Sequence, residues 1–288
     1  MTHIPVLLEE AVQWLRVRPE GHYLDCTLGA GGYARAIAER LTTGWLTALD
    51  WDRAAIEAAR ERLAEFGDRI RFVKSSFSEI DRILVATPAD GIVADLGVSR
   101  DQLDAPERGL SFITDGPLDM RLDTEQELTA ADIVNYHGEK PLADLIYRFG
   151  EERRSRRISR AIVRARPLAG ARQLAEIIER AAPRTRGDRI HPATRTFQAL
   201  RIAVNDELGE LERLLEKAPA LLQPGGRFVV VSFHSLEDRL VKTAFRRWAA
   251  LGDLGILTKH VVRPGEEEVR RNPASRSAKL RASERLRN

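Results

Sequence analysis

This sequence has almost no cysteine and no long apolar run. Whole classes of protein depend on one or the other of these two features. It has one cysteine, Cys26, and no run of 18 apolar residues in its 288 positions. A single cysteine excludes an internal disulfide and is typical of a reducing compartment, so we expect a cytoplasmic protein. The lack of a long apolar run argues against a membrane-spanning helix. Glu9 and Glu10 interrupt the N-terminal apolar residues, so we expect no signal peptide.

Clustered histidines and internal repeats are missing as well. The six histidines are scattered, and none has the close partner that a structural zinc site requires, so we expect no bound metal. The sequence contains no repeat and no low-complexity segment. A length of 288 residues then favours two domains of ordinary size.

The net charge of +3 conceals an uneven distribution of charge along the chain. Residues 1–104 contain 12 basic and 17 acidic side chains, whereas residues 151–201 contain 14 arginines and five acidic residues. Residues 239–288 contain 13 basic and five acidic side chains. Dense arginine is typical of surfaces that bind the phosphates and bases of RNA, but solvated helix surfaces carry such charge too. Both interpretations stay open at this point.

Strand and helix patterns alternate four times in residues 1–104. Strands are predicted to end near Asp25, Asp50, Phe77 and Asp95, with a helical pattern after each of the first three. This alternation predicts an α/β fold with a doubly wound, mostly parallel sheet and helices on both faces.

The alternation then stops for about a hundred residues. Residues 104–140 are turn-rich and acidic, and no strand pattern appears before residue 225. Residues 141–182 carry helical patterns whose apolar faces include Ile146, Ile158, Ile162 and Ile178. A fifth strand is predicted at 225–234. The segments LGILTKHVV and SAKLRASERL, which a polar loop separates, are expected to supply the last one or two strands. An inserted all-helical domain is the simplest explanation of such a break. The predicted division is residues 1–104 and 205–288 for the α/β domain, and residues 105–204 for the insertion.

A glycine-rich turn follows the first predicted strand. Gly29, Gly31 and Ala34 have the spacing of a nucleotide-binding turn, and Asp50 lies 21 residues beyond Gly29 at the end of the next strand. Small residues let the backbone approach a ligand, and an acid at the second strand binds ribose hydroxyls. The pattern alone fits a nicotinamide-dependent dehydrogenase and an S-adenosylmethionine-dependent enzyme about equally.

Acidic residues end three of the predicted strands and help to choose between these ligands. Asp25, Asp50 and Asp95 are expected at the same edge of a parallel sheet, where ligands bind. Carboxylates repel a pyrophosphate but attract the sulfonium and ammonium groups of S-adenosylmethionine. The alternative is that Asp95 only caps a turn. The three acids together favour a methyltransferase.

Several longer motifs resemble a known family. The stretches HIPVLL, LGAGG, ADLGVS, GPLDMR, HPATRTFQALRI and VSFHSLEDR are similar to those of the ribosomal RNA small subunit methyltransferase H family, also called MraW, from about His3 to Leu286. The resemblance implies a Rossmann-like class I methyltransferase that uses S-adenosylmethionine to methylate the exocyclic N4 of a cytidine in small-subunit (16S) ribosomal RNA. It also implies cofactor contacts at Gly31, Gly32, Tyr33, Asp50, Phe77, Asp95 and Gln102.

The sequence departs from the family's pattern at three places. Tyr33 stands where the family usually has histidine, Cys26 where glycine or alanine is usual, and Arg100-Asp101 replaces a common Ser-Pro. Only the first of these bears on a cofactor contact, and none removes a carboxylate. Cys26 is expected to be a buried packing residue.

Three residues are predicted to act on the substrate. Asp95 is the candidate catalytic residue: it contacts the cofactor in the first interpretation and orients the target amine in the second. The sequence after Asp95 lacks the Pro-Pro-aromatic loop of related amino-methyltransferases. His234 is a candidate for substrate contact, with a structural hydrogen-bonded histidine as the alternative. Arg195 is expected to meet RNA or the other domain.

Small-subunit rRNA is the predicted partner, within the small ribosomal subunit. Naked RNA and an assembled subunit both stay open as the substrate form, and a homodimer is one alternative for the oligomeric state. A non-catalytic RNA-binding assembly factor is a further hypothesis, supported by the arginine-rich segments alone.

Overall fold

A computed structural model describes residues 5–84, 87–187 and 190–286. The chain divides into two compact units. Met1–Val98 together with Leu208–Asn288 form the first, called here the α/β unit, and Ser99–Glu207 form the second, called the helical unit. The insertion predicted at residues 105–204 lies within the helical unit.

A seven-stranded sheet forms the centre of the α/β unit. The strands are β1 (His22–Asp25), β2 (Trp45–Asp50), β3 (Ile70–Lys74), β4 (Ala89–Asp95), β5 (Leu222–Ser232), β6 (Leu254–Ile256) and β7 (Lys279–Arg285). Their order across the sheet is β3-β2-β1-β4-β5-β7-β6. The first five strands are parallel, and β7 is antiparallel to both β5 and β6. The predicted doubly wound, mostly parallel sheet is therefore confirmed, including the two C-terminal strands.

Apolar side chains cover both faces of this sheet. Successive residues of a strand point to opposite faces, so Tyr23 and Val229 join one apolar cluster while Leu24 and Val230 join the other. All four residues of β1 are buried. Central strands buried on both faces are expected to consist of nearly continuous apolar residues, as β4 does.

Helices pack against the sheet in the α/β unit. They are α1 (Leu8–Leu15), α2 (Gly32–Ala38), α3 (Arg53–Arg62), α4 (Ile80–Ile83), α11 (Glu207–Lys217), whose first residue is the last of the helical unit, α12 (Ser235–Leu251) and α13 (Glu266–Arg271).

Two expectations about the α/β unit were wrong, the end of the third strand and the loop between the last two strands. The third strand ends at Lys74, and Phe77 begins a 3-10 helix because the Ser76 side chain accepts the N–H of Ser78.

The second correction concerns the segment expected to be a polar loop between the last two strands. It contains α13 and the 3-10 helix Pro273–Ser277. Three acidic residues occupy the first turn of α13 and two arginines its last turn. That arrangement complements the helix dipole and stabilises a short helix despite the flanking glycine and proline.

The helical unit contains α5 (Arg100–Asp104), α6 (Ala130–Tyr136), α7 (Glu139–Gly150), α8 (Ser155–Ala165), α9 (Ala171–Ala181) and α10 (Thr194–Asn205). Its core uses apolar faces that the sequence predicted, including Ile146, Ile158, Ile162 and Ile178, all of them buried. None of the helices in the described part of the chain is long and apolar enough to cross a membrane.

One buried amide organises the irregular segment between α5 and α6. The Asn205 side chain donates to the carbonyl oxygen of Met120 and accepts the N–H of Leu122, both at 2.8 Å. Met120 has a positive φ of 62°, which a bulky residue rarely adopts. The two hydrogen bonds hold the backbone on either side of this strained position.

Candidate functional site

The glycine-rich turn between β1 and α2 is fixed by the end of β2. Gly29 and Gly31 have φ values of 48° and 84°, a region that favours glycine. The Gly29 N–H donates to Asp50 Oδ2 at 2.8 Å, and the Asp52 N–H donates to Asp50 Oδ1 at 2.9 Å. Each carboxylate oxygen can accept a further hydrogen bond, so Asp50 can hold the turn and still bind a ligand hydroxyl.

Asp25 and Asp95 end the neighbouring strands β1 and β4, and Thr27 joins them. The Thr27 N–H donates to Asp25 Oδ1 at 3.0 Å, and the Asp95 N–H donates to Thr27 Oγ1 at 2.7 Å. Asp25 Oδ2 and Asp95 Oδ1 are buried and have no hydrogen-bond partner in the described part of the chain. An unpaired buried carboxylate oxygen is costly, so its presence indicates a ligand-binding position.

The electrostatics of these acids favour a positively charged ligand. Burial raises the pKa of Asp25 to about 7, and the nearby Asp50 carboxylate adds to the rise. Burial also raises the pKa of Asp95 well above its ordinary value, with further contributions from Asp25 and Glu237. A cation placed between these groups would compensate their charge and lower both pKa values.

Glu237, which the sequence interpretation did not single out, lies close enough to influence Asp95. It is in the first turn of α12, where Glu237 Oε2 accepts the N–H groups of Phe233 at 2.8 Å and His234 at 3.2 Å. In the sequence, Glu237 could have been identified from its position three residues after His234, which is the spacing of a capping box. Its negative charge extends the acidic cluster.

His234 caps the N-terminus of α12. Its Nδ1 accepts the Glu237 N–H at 3.4 Å, and its Nε2 lies 3.1 Å from Glu237 Oε1. These contacts fix the ring, but its buried Nε2 makes no hydrogen bond with a described residue. A role in substrate contact stays a prediction.

Tyr33 uses its hydroxyl within the chain. The side chain is buried, and its Oη donates to the carbonyl oxygen of Val6. Pro5 packs on the turn so closely that a Cβ at Gly32 would lie 2.1 Å from Pro5 Cγ. The ring therefore anchors the N-terminal segment, and a cofactor contact at Tyr33 stays a prediction.

Phe77 and Gln102 lie in different units. Phe77 is buried in the α/β unit and packs edge-on against Trp51, with 5.7 Å between ring centroids. Gln102 belongs to the helical unit, where its side chain accepts the Ser99 N–H at 3.0 Å and completes the capping box of α5.

The α/β unit thus brings together most of the predicted cofactor residues. Gly31, Gly32, Asp50 and Asp95 lie in or beside the turns that follow β1, β2 and β4. Arg195, like Gln102, lies in the helical unit, and its Nη1 donates to the carbonyl oxygen of Glu151 at 3.1 Å. The glycine turn and the carboxylates of the α/β unit can bind a cationic ligand that also presents hydroxyl groups.

Comparison with known sequences gives matches over the whole chain. The sequence model of the MraW methylase family matches residues 1–286. Ribosomal RNA small subunit methyltransferase H of Solibacter usitatus (strain Ellin6076) is 56% identical over 285 residues, covering 98% of this chain and 99% of the relative. The protein of the same name from Acidobacterium capsulatum is 54% identical over 290 residues, covering 98% of each chain.

Comparison with solved structures supports the fold. A candidate rRNA methylase from Clostridium thermocellum aligns with a TM-score of 0.50, covering 100% of this chain and 99% of its own. The two sequences are only 12% identical, so this likeness concerns the Rossmann-like α/β architecture alone.

Proposed function

The chain belongs to the MraW methylase family, and from that membership we propose that it methylates the exocyclic N4 of a cytidine in small-subunit (16S) ribosomal RNA with S-adenosylmethionine. The observation that carries the chemistry is the pair of buried, unpartnered carboxylate oxygens on Asp25 and Asp95 beside the glycine turn. They distinguish this site from a neutral nucleotide-binding turn.

The residues present fit S-adenosylmethionine. This cofactor supplies a methyl group on a positively charged sulfur and also carries an ammonium group. Burial raises the pKa values of Asp25 and Asp95, and a sulfonium or ammonium group beside them would stabilise their charged forms. The backbone of Gly31 and Gly32, the Asp50 carboxylate and the Phe77 ring would hold the adenosine part, with Gln102 as a further contact.

The target amine needs orientation more than activation by a strong base. Its lone pair is delocalised into the cytosine ring, so the nitrogen must be held in line with the methyl group at about 3–3.5 Å. A carboxylate that accepts one amine N–H would fix this direction. Asp95 has two proposed roles, cofactor contact first and amine orientation second, and His234 is proposed to contact the substrate.

The helical unit is proposed to recognise the RNA. The side of α8 that faces solvent exposes Arg156, Arg157, Arg160 and Arg164, of which Arg160 pairs with Glu139 at 3.2 Å. Arginine binds phosphates and stacks on bases, so this unit suits an rRNA surface. Action within the small ribosomal subunit in the cytoplasm, and a homodimer, belong to the same proposal.

Methyl-transfer assays test the proposed function. Purified protein is incubated with methyl-labelled S-adenosylmethionine and either naked small-subunit rRNA or small subunits from cells that lack the protein, and the modified nucleotide is mapped by mass spectrometry. The expected product is one N4-methylated cytidine. A titration with NAD is the control for the dehydrogenase alternative, and we expect no binding. Failure to methylate both RNA forms would leave a non-catalytic RNA-binding factor as the better description.

A further inference from the structure

The helical unit contains a cavity of about 630 Å³ that is lined by arginines. Arg153 and Arg154 precede α8, and Arg195 lies in the first turn of α10. Glu152, Thr185 and His191 complete the polar part of the lining among the described residues. A cavity of this volume is large enough for a nucleotide-sized group.

Two of the three arginines have no acid partner among the residues that the structure describes. Arg154 pairs with the buried Glu152, Nε to Oε1 at 3.3 Å, and donates to the carbonyl oxygen of Pro183 at 2.9 Å. Arg195 donates to a carbonyl oxygen, a neutral group, and Arg153 makes no hydrogen bond or ion pair with any residue that the structure describes. The cavity therefore has a surplus of positive charge.

Some other arginines of the helical unit have an acid partner. Arg121 pairs with Asp119 at 2.7 Å, and Arg201 pairs with Glu207 at 2.8 Å. Among the described residues of the cavity lining the one acid is Glu152, which pairs with Arg154, so Arg153 and Arg195 are left without an acid partner there.

His191 gives the cavity a fixed wall and a further donor. Its ring stacks on Phe112 with 4.6 Å between centroids, and Phe112 packs edge-on against Phe197. His191 Nδ1 accepts the Ala193 N–H at 3.2 Å, so in the neutral ring the proton is assigned to Nε2. An N–H donor thereby joins the guanidinium groups.

We propose that this cavity binds a phosphodiester group of the RNA substrate, at a nucleotide other than the one that is methylated. Guanidinium groups match the oxygens of a phosphate in geometry and charge, and contacts of this kind position a nucleic acid without reading its sequence. The inference rests on the proposed rRNA substrate. It gives the helical unit a defined anchoring point in addition to the exposed arginines of α8.

The test compares two double variants that remove equal charge from the same unit. Arg153→Gln/Arg195→Gln removes the two unpaired arginines of the cavity. Arg172→Gln/Arg180→Gln is the control, because both residues are exposed, lie on α9 outside the cavity lining and make no ion pair with described residues. RNA affinity is measured against salt concentration, and methylation kinetics against RNA concentration.

We expect the cavity variant to bind RNA at least about tenfold more weakly than the control. The slope of log affinity against log salt should fall by about 1.4 for two lost contacts to single-stranded RNA. KM for RNA should rise while kcat and the affinity for S-adenosylmethionine stay unchanged. Equal RNA affinities and slopes in the two variants would overturn the inference.

Two further measurements keep the result interpretable. Phenylglyoxal labelling of the unaltered protein, mapped by mass spectrometry, should show RNA protecting Arg153 and Arg195 and sparing Arg172, whatever the stability of the variants. If bound RNA leaves the labelling of all three arginines unchanged, the inference is contradicted as well. If the protein binds RNA through the cavity but methylates none of it, the proposed function is wrong and the inference about the cavity stands.

Discussion

Asp95 is the residue at which the two proposed roles in methyl transfer can be separated. Its Oδ1 is buried without a partner among the described residues, and Asp25 and Glu237 add negative charge nearby. If Asp95 compensates the cofactor's positive charge, Asp95→Asn should weaken S-adenosylmethionine binding by about 10- to 100-fold, the loss of one charged hydrogen bond of ~1.5–3 kcal/mol. Isothermal titration calorimetry measures this.

The product without the methyl group serves as the control for Asp95. S-adenosylhomocysteine has a neutral sulfur, so its affinity should fall less if Asp95 responds to the sulfonium, and equally if it responds to the shared ammonium. Unchanged binding with a slower single-turnover methylation rate would assign Asp95 to orientation of the amine. A variant with unchanged binding and an unchanged rate would reduce Asp95 to a turn residue.

At the scale of the element, the glycine turn depends on one carboxylate of the neighbouring strand. Asp50 accepts the N–H groups of Gly29 and Asp52 from two different turns. Asp50→Ala should therefore lower the free energy of unfolding by about 1–3 kcal/mol and leave a folded protein, because two backbone donors lose their acceptor. Urea unfolding measures the loss, and Asp50→Asn, which keeps one acceptor oxygen, should lose less.

The same variant tests the assignment of Asp50 to the ribose. The unaltered protein should bind adenosine more tightly than 2′,3′-dideoxyadenosine, and Asp50→Ala should lose most of this discrimination. Affinity for S-adenosylmethionine should fall about 10- to 100-fold, as expected for ~1.5–3 kcal/mol. A folded Asp50→Ala protein that still discriminates between the two nucleosides would show that another group binds the ribose.

At the scale of the whole molecule, Asp25 links stability to pH. Its pKa is about 7 in the folded protein against an ordinary value of 3.8, so the folded state holds a proton that the unfolded chain has released. This contribution is fully present below pH 3.8 and is lost as the pH rises through about 7. The free energy of unfolding without cofactor should fall by roughly 4 kcal/mol across that window because of this group.

A matched variant tests Asp25 against the other titrating groups. Burial lowers the pKa of His22, which acts in the opposite direction below pH 6.5, and raises the pKa values of Asp50 and Asp95, which act in the same direction as Asp25. All three groups are present in both proteins. Chemical unfolding from pH 4.5 to 8 should therefore give a flatter fall for Asp25→Asn than for the unaltered protein. Saturating S-adenosylmethionine should stabilise the unaltered protein more at pH 8 than at pH 5. Parallel pH profiles would contradict the role given to Asp25.

The sequence by itself determined the sheet, the helical interruption and the acids at the strand ends. Local patterns sufficed because strands buried on both faces must be apolar, and because Asp25, Asp50 and Asp95 follow directly on β1, β2 and β4. Short motifs also identified the family, since they extend over nearly the whole chain.

Only the tertiary structure decided which atoms of these residues are engaged. The Tyr33 hydroxyl donates to the carbonyl oxygen of Val6, 27 residues away in sequence. Glu237, in the first turn of α12, raises the pKa of Asp95, which ends β4. The cavity likewise joins Arg153 and Arg195 through the packing of the helical unit. Hydrogen bonding, burial and charge between residues far apart in the chain depend on folded distances, which a local sequence pattern does not contain.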